Sequence, residues 1–233
     1  LPVLTAINFT AEPGQTTALI GSTGSGKTTL INLVPRFYDV TAGQILIDGV
    51  DIRDLKLEDL YRQIGYVPQK GVLFSGTVKS NISFGNKQLS DAEIKEAAEI
   101  AQATEFINKL NKKYDSEIAQ GGANVSGGQK QKLSIARAIA VKPKIYIFDD
   151  SFSALDFKSE AKLRRQLLQK TKGQTTLIVS QRISTIMNVD KIIVLDQGKI
   201  VGQGTHRELL KNNSVYQEIA YSQLSDEELK LQS

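Results

Sequence analysis

TTALIGSTGSGKTTLINLV, Thr16–Val34, decides the fold, because it joins three patterns that make physical sense together. TTALI (Thr16–Ile20) is a short apolar run behind the turn pair Pro13-Gly14 and reads as a strand. GSTGSGKT (Gly21–Thr28) satisfies G-x-x-x-x-G-K-[ST], and KTTLINLV opens an apolar-rich helix at its end. Glycines let successive backbone N–H groups turn inward around phosphate oxygens, and the start of the helix adds positive potential there. Lys27 is placed to reach β- and γ-phosphates, and the Thr28 hydroxyl to bind Mg²⁺. Gly21, Ser22, Thr23, Gly24, Ser25, Gly26, Lys27, Thr28 and Thr29 are therefore the expected nucleotide cradle.

Beyond this stretch, strands and helices alternate. QILIDG (Gln44–Gly49) follows Gly43 and reads as a strand, as does Ile64–Val67, which ends at Pro68. From Ser90 to Leu110 the period changes: Ile94, Ala97, Ala98, Ala101, Phe106, Ile107 and Leu110 recur at three- and four-residue steps. Ser90 and Glu93 form an S-x-x-E capping box, so the spacing predicts one helix over 90–110. Strands resume with IYIFD (Ile145–Asp149), TTLIVS (Thr175–Ser180) and KIIVLD (Lys191–Asp196). The last passes through Gln197-Gly198 into KIVGQG as a hairpin. This order predicts an α/β domain with a mostly parallel core sheet covered on both faces. The expected division is a core over 1–70 and 141–221, a helical subdomain over 71–140, and a polar tail over 222–233 that frays.

Composition narrows the chemistry. Of 233 residues 40% are hydrophobic and 23% charged, with 18 Gly and 5 Pro, which excludes a disordered or collagen-like chain. With no Cys, disulfide frameworks, thiolate zinc sites and cysteine nucleophiles are excluded, and the single His, His206, excludes a multi-histidine metal site. No apolar run approaches the roughly 20 residues that span a bilayer. The net charge of +4 suits anionic ligands without indicating nucleic acid, which is not an expected partner.

Two further stretches carry chemistry. IYIFDD runs four apolar residues into Asp149 and Asp150, and an Asp ending a buried strand beside a phosphate loop can hold Mg²⁺ through water. NVSGGQKQKLSIARA (Asn124–Ala138) is a helix start in which Ser126 caps, Gln129 sits at the return position, and Gly127 and Gly128 expose backbone N–H groups. That is a second anion site, and without the phosphate loop it would be an ordinary capped helix.

In this order, phosphate loop, VSGGQ and IYIFDD resemble the nucleotide-binding domain of ABC transporters, a P-loop NTPase fold with an N-terminal antiparallel β portion and an inserted α-helical subdomain. VSGGQ is similar to that family's LSGGQ signature, with Val125 as a mild departure. Gln69 in YVPQ matches the Q-loop glutamine that contacts the metal and the attacking water, so the resemblance implies Thr28, Gln69 and Asp149 around Mg²⁺. SALD (Ser153–Asp156) matches the D-loop. Glu117 and the segment Leu73–Gly85 have exporter rather than importer wording. GTHREL recurs in the family, with His206 expected as an exposed first-turn residue. The family sandwiches two ATP molecules between two such domains, so Ser126, Gly127, Gly128 and Gln129 would face ATP bound by a partner domain. A transmembrane domain would precede this chain, placing it at the cytoplasmic face of the membrane.

Two positions depart from the pattern. Asp150 stands where active members have the catalytic Glu, and Gln181, in IVSQRIST, where they have the switch-loop His. Both resemble the degenerate half of a heterodimeric multidrug exporter, whose own ATP site is slow and whose signature serves its partner. The chain starts at Leu1, so the family's adenine-stacking aromatic and the strand bearing it are expected to be missing and the antiparallel portion truncated. A non-transport ABC ATPase acting on DNA or ribosomes is disfavoured by the short span between phosphate loop and signature and by the single domain. An importer ATPase is disfavoured by Glu117 and Leu73–Gly85.

Overall fold

The computed structural model describes residues 3–225, so the tail beyond Ser225 lies outside the described residues. In chain order the elements begin β1 (Thr16–Gly21), α1 (Lys27–Leu33), β2 (Leu46–Ile47), β3 (Val50–Asp51), α2 (Leu57–Arg62), β4 (Ile64–Val67) and β5 (Gly76–Thr77). Then follow α3 (Val78–Ile82), α4 (Asp91–Ile100), α5 (Thr104–Lys109), β6 (Glu117–Ile118), α6 (Gly127–Ala140), β7 (Ile145–Asp149) and α7 (Phe157–Lys170). The chain closes with β8 (Thr175–Val179), α8 (Ile183–Ile186), β9 (Lys191–Asp196), β10 (Lys199–Gly204), α9 (His206–Asn212) and α10 (Ser214–Tyr221). Two compact units result, Leu1–Tyr61 with Gly173–Ser233, and Arg62–Lys172.

In the first unit the strands run in the order β10-β9-β1-β8. β1 is parallel to both neighbours, pairing Leu19 with Val179 on one side and Ile193 on the other. All six of its residues are buried, as expected of a central strand covered on both faces. The β9–β10 hairpin forms as its sequence predicts, with Gln197 and Gly198 both at positive φ, 44° and 74°, the geometry of a two-residue primed turn. The strand expected over Gln44–Gly49 shrinks to Leu46–Ile47, which turns at Asp48-Gly49 and pairs with Val50–Asp51. His206 also departs from expectation. It opens α9 behind the Thr205–Glu208 capping box, but it is 4% exposed, with Nδ1 2.6 Å from the buried Tyr216 hydroxyl. A first-turn residue is exposed only if nothing packs on that side, and here α10 does.

In the second unit β4 and β7 pair in parallel from Ile64↔Ile145 to Val67↔Phe148. Helix α6 packs against β4, α3 and α4, and Leu133, Ile135, Ala136 and Ala138 on it are buried. The capping box at Ser90 forms as predicted, yet the helix it starts ends at Ile100, and α5 begins afresh at Thr104. Gln102 adopts φ 56°, and Ala103 N–H donates to Ala98 O at 2.8 Å, a left-handed helix stop of the kind usually written with Gly or Asn. Its amide bonds the Glu99 carbonyl at 2.9 Å and the Gln166 side chain on α7, and these contacts hold a glutamine in a conformation it rarely adopts.

Candidate functional site

The phosphate loop is built in the first unit by the end of β1 and the start of α1. Gly24 and Gly26 sit at φ 82° and 100°, so the loop curls in a way β-carbons resist. Gly21 has no room for one either: a Cβ there would lie 2.0 Å from Leu195 O and 2.7 Å from Ser25 Oγ. Lys27 is 7% exposed, and its Nζ donates to Gly21 O at 2.9 Å, Ser22 O at 2.8 Å and Ser25 Oγ at 3.3 Å. A buried ammonium held in a glycine-rich ring, with Ser22, Thr23 and Thr28 exposed around it, fits a polyphosphate.

The acidic element belongs to the second unit. Asp149 ends β7, is 4% exposed and accepts from the Tyr66 hydroxyl at 3.4 Å. Burial and this carboxylate push the Tyr66 hydroxyl well above its ordinary value. Asp150 follows at φ 44°, in the left-handed region that Asp tolerates better than most residues. Its Oδ2 accepts from Gln69 Nε2 at 3.2 Å, so the structure brings these two candidate residues together. Oxygen donors from Asp and Thr suit a hard cation such as Mg²⁺. Among the described residues no cluster of three or more His, Cys, Asp or Glu could hold a metal.

Gln69 owes its place to α6. Gln131 Nε2 donates to Pro68 O at 3.0 Å, and Arg137 Nη1 to Val72 O at 2.9 Å. Between them Gly71 lies so close that a Cβ would be 2.8 Å from the Lys130 carbonyl. Arg137 also donates to Asn81 O and Oδ1 at 2.8 and 3.0 Å and lies over the stacked rings of Phe74 and Phe84. Burial lowers its pKa to about 10, which leaves it charged at neutral pH.

The same helix presents the second anion site. Ser126 Oγ accepts from Gln129 N–H at 3.3 Å while Gln129 Oε1 accepts from Ser126 N–H at 2.9 Å, completing the predicted capping box. Ser126 and Gly127 are exposed. Ser126, with Gly128 and Gln129, borders a cleft of about 250 Å³ lined also by Phe106, Lys132, Ala154 and Asp156. A larger cleft in this unit, about 490 Å³ among Lys79, Glu99, Lys112 and Tyr114, contains none of the candidate nucleotide-binding or catalytic residues and has walls of mixed charge.

Gln181, in the first unit, is exposed just after β8. Its carbonyl accepts from Gln223 Nε2 at 2.7 Å, and Ile183 N–H donates to Gln223 Oε1 at 2.9 Å. No sequence pattern pointed to Gln223, which lies in the stretch expected to fray. Gln131, Gly71 and Arg137 were missed as well, since no local pattern ties two polar residues of α6 or a loop glycine to the backbone around Gln69.

A profile of the family described as "ABC transporter" matches residues 4–153. A "Putative multidrug export ATP-binding/permease protein" of Staphylococcus aureus is 50% identical over 218 residues, covering 94% of this chain and 38% of the relative. An "Uncharacterized ABC transporter ATP-binding protein" of Mycobacterium tuberculosis is 48% identical over 225 residues, covering 95% and 38%. The solved structure of a bacterial Atm1-family ABC exporter with ATP bound superposes with a TM-score of 0.92 at 38% identity, covering 96% of this chain and 40% of that one. The chain thus spans well under half the length of these relatives. Among the described residues no helix is long and apolar enough to cross a membrane.

Proposed function

Because this chain belongs to the ABC transporter family and spans its nucleotide-binding domain, we propose that it binds and hydrolyses ATP to drive a membrane exporter, with a slow, degenerate site of its own. The observation that carries the ATP reading is the buried Lys27 ammonium inside a loop of left-handed glycines. Exporter wording in the sequence, the multidrug-export name of the Staphylococcus relative and the ATP-bound exporter structure support the transport reading. Multidrug or lipid-like cargo is the reading that follows from them, for a full-length protein with a transmembrane domain N-terminal to this chain at the cytoplasmic face of the membrane.

In this reading the residues divide the work as follows. Lys27 and the N–H groups of Gly24 to Thr28 bind the β- and γ-phosphates and align them. Thr28, Asp149 and Gln69 are the residues that would hold Mg²⁺, which would neutralise negative charge on the ATP phosphates. Asp150 polarises the attacking water, and the 3.2 Å bond from Gln69 sets the direction of its carboxylate. One methylene fewer than Glu shortens the reach by about 1 Å, which can cost a factor on the order of a hundred. Gln181 offers the γ-phosphate a hydrogen bond but, unlike His, no positive charge. Ser126, Gly127, Gly128 and Gln129 serve the ATP of a second nucleotide-binding domain from a different chain.

Isothermal titration of the protein with Mg-ATP tests the core of this reading. Lys27→Ala is expected to abolish measurable binding, because it removes the main phosphate cation. Unchanged affinity would overturn the assignment of the loop as the ATP site.

A further inference from the structure

The switch-loop backbone is held by a residue that no motif includes. Gln223 stands just beyond α10, its own N–H bonded to Ala220 O at 3.0 Å. Its side-chain amide donates to Gln181 O at 2.7 Å and accepts from Ile183 N–H at 2.9 Å. Donating to one residue and accepting from the residue two further on is how a strand residue pairs with a parallel neighbour. The Gln223 amide therefore takes the place of one rung of β-ladder opposite Arg182. Arg182 itself is tied from the other side, its N–H donating to Ser180 Oγ at 3.0 Å. The two peptide units that follow Gln181 thus hang on side chains beyond the end of β8.

The anchor behind Gln223 is firm. Helix α10 packs against β1 and β9, and Tyr216 is fully buried against His206 at 2.6 Å. Asn213 caps the helix by accepting from Tyr216 N–H at 2.8 Å, and its Nδ2 donates to Val201 O at 2.8 Å. Gln217 Nε2 donates to Leu210 O at 2.8 Å. A side chain on such a base transmits the position of α10 to the loop. A free loop at this point would let Gln181 swing.

We propose that Gln223 is a positioning residue for the reaction: it fixes the Gln181 backbone so that the Gln181 side chain meets the γ-phosphate. This rests on the reading of Gln181 as the switch-loop residue. It makes the C-terminal helix, rather than β8 alone, the element that sets catalytic geometry at this end of the site.

The test uses the full-length transporter assembled with its native partner chain, the partner's own catalytic carboxylate disabled so that only this site turns over. Gln223→Ala is expected to lower kcat about 3- to 10-fold, the range of one to two net hydrogen bonds, with KM for ATP within twofold. Gln223→Glu keeps the acceptor for Ile183 N–H but loses the donor to Gln181 O, and should lose as much. Because Gln223 acts through Gln181, Gln223→Ala should change nothing further in a Gln181→Ala background. It should also erase whatever gain Gln181→His brings. Unchanged kcat in Gln223→Ala overturns the proposal, as does an equal fractional loss in the Gln181→Ala background or a Gln181→His gain that survives it. Failure of the parent reading looks different: Gln181→Ala alone would then leave kcat at the parent value whatever Gln223 does.

Discussion

Asp150 combines two constraints in one residue, a backbone at φ 44° and a carboxylate bonded to Gln69. Left-handed backbone costs most residues roughly 1–2 kcal/mol, and Asp and Asn are the polar exceptions. Lengthening the side chain to Glu therefore extends the carboxylate and adds strain together. Asp150→Glu alone should give a modest gain in hydrolysis and a melting temperature lower by about 2–4 °C, the shift expected from about 1 kcal/mol in a chain this long. Gln181→His alone should also give a modest gain. Since both groups act on one transition state, the double variant should exceed the product of the single gains. Steady-state ATPase assays of the four variants, with the partner's catalytic carboxylate disabled, check this. A double variant no faster than the parent would show that other residues limit the site.

Helices α4 and α6 set what happens at the level of elements. Glu93 on α4 is drawn down to about 2, chiefly by Lys142 at 2.7 Å and further by the Ser90 N–H and hydroxyl. A carboxylate with a depressed folded pKa stabilises above its unfolded value, about 4.3, and that contribution is lost as pH falls towards 2. Glu93→Gln should thus melt below the parent at pH 6 and together with it at pH 2, as followed by circular dichroism. Ser90→Ala, which removes the cap itself, should cost about 1 kcal/mol. On α6 the tight approach of Gly71 to the Lys130 carbonyl is what keeps the Q-loop against the helix. Gly71→Ala places a Cβ against backbone that has nowhere to yield, so the loop must move and carry Gln69 away from Asp150. Hydrolysis should fall about 10- to 100-fold while ATP affinity stays near that of the parent, measured as kcat against titrated binding.

For the whole molecule the decisive prediction concerns a second chain. On the proposed reading, a chain that keeps the Ser126–Gln129 capping box but carries Asp150 and Gln181 at the altered positions helps a partner hydrolyse ATP more than it hydrolyses its own. Ser126→Arg should therefore suppress the partner's ATPase by placing bulk and misdirected charge where backbone donors meet phosphate. Purification from native membranes should yield a heteromer, and a fast homodimer would sink this reading. Local pattern was enough for much of the rest. The phosphate loop, the Asp149 strand, the Ser90 and Ser126 caps and the β9–β10 turn are each specified by residues a few positions apart, so the sequence determines them alone. Tertiary contact decided the break at Gln102, where no glycine marks the stop and Gln166 on α7 holds the left-handed turn. It also decided the burial of His206 under Tyr216 and the bonding of Gln223 to the backbone at Gln181 and Ile183. Periodicity reports which face of an element is apolar, but not which distant side chain will meet it. A hydrogen bond spanning about forty residues exists only once both ends have been packed into place.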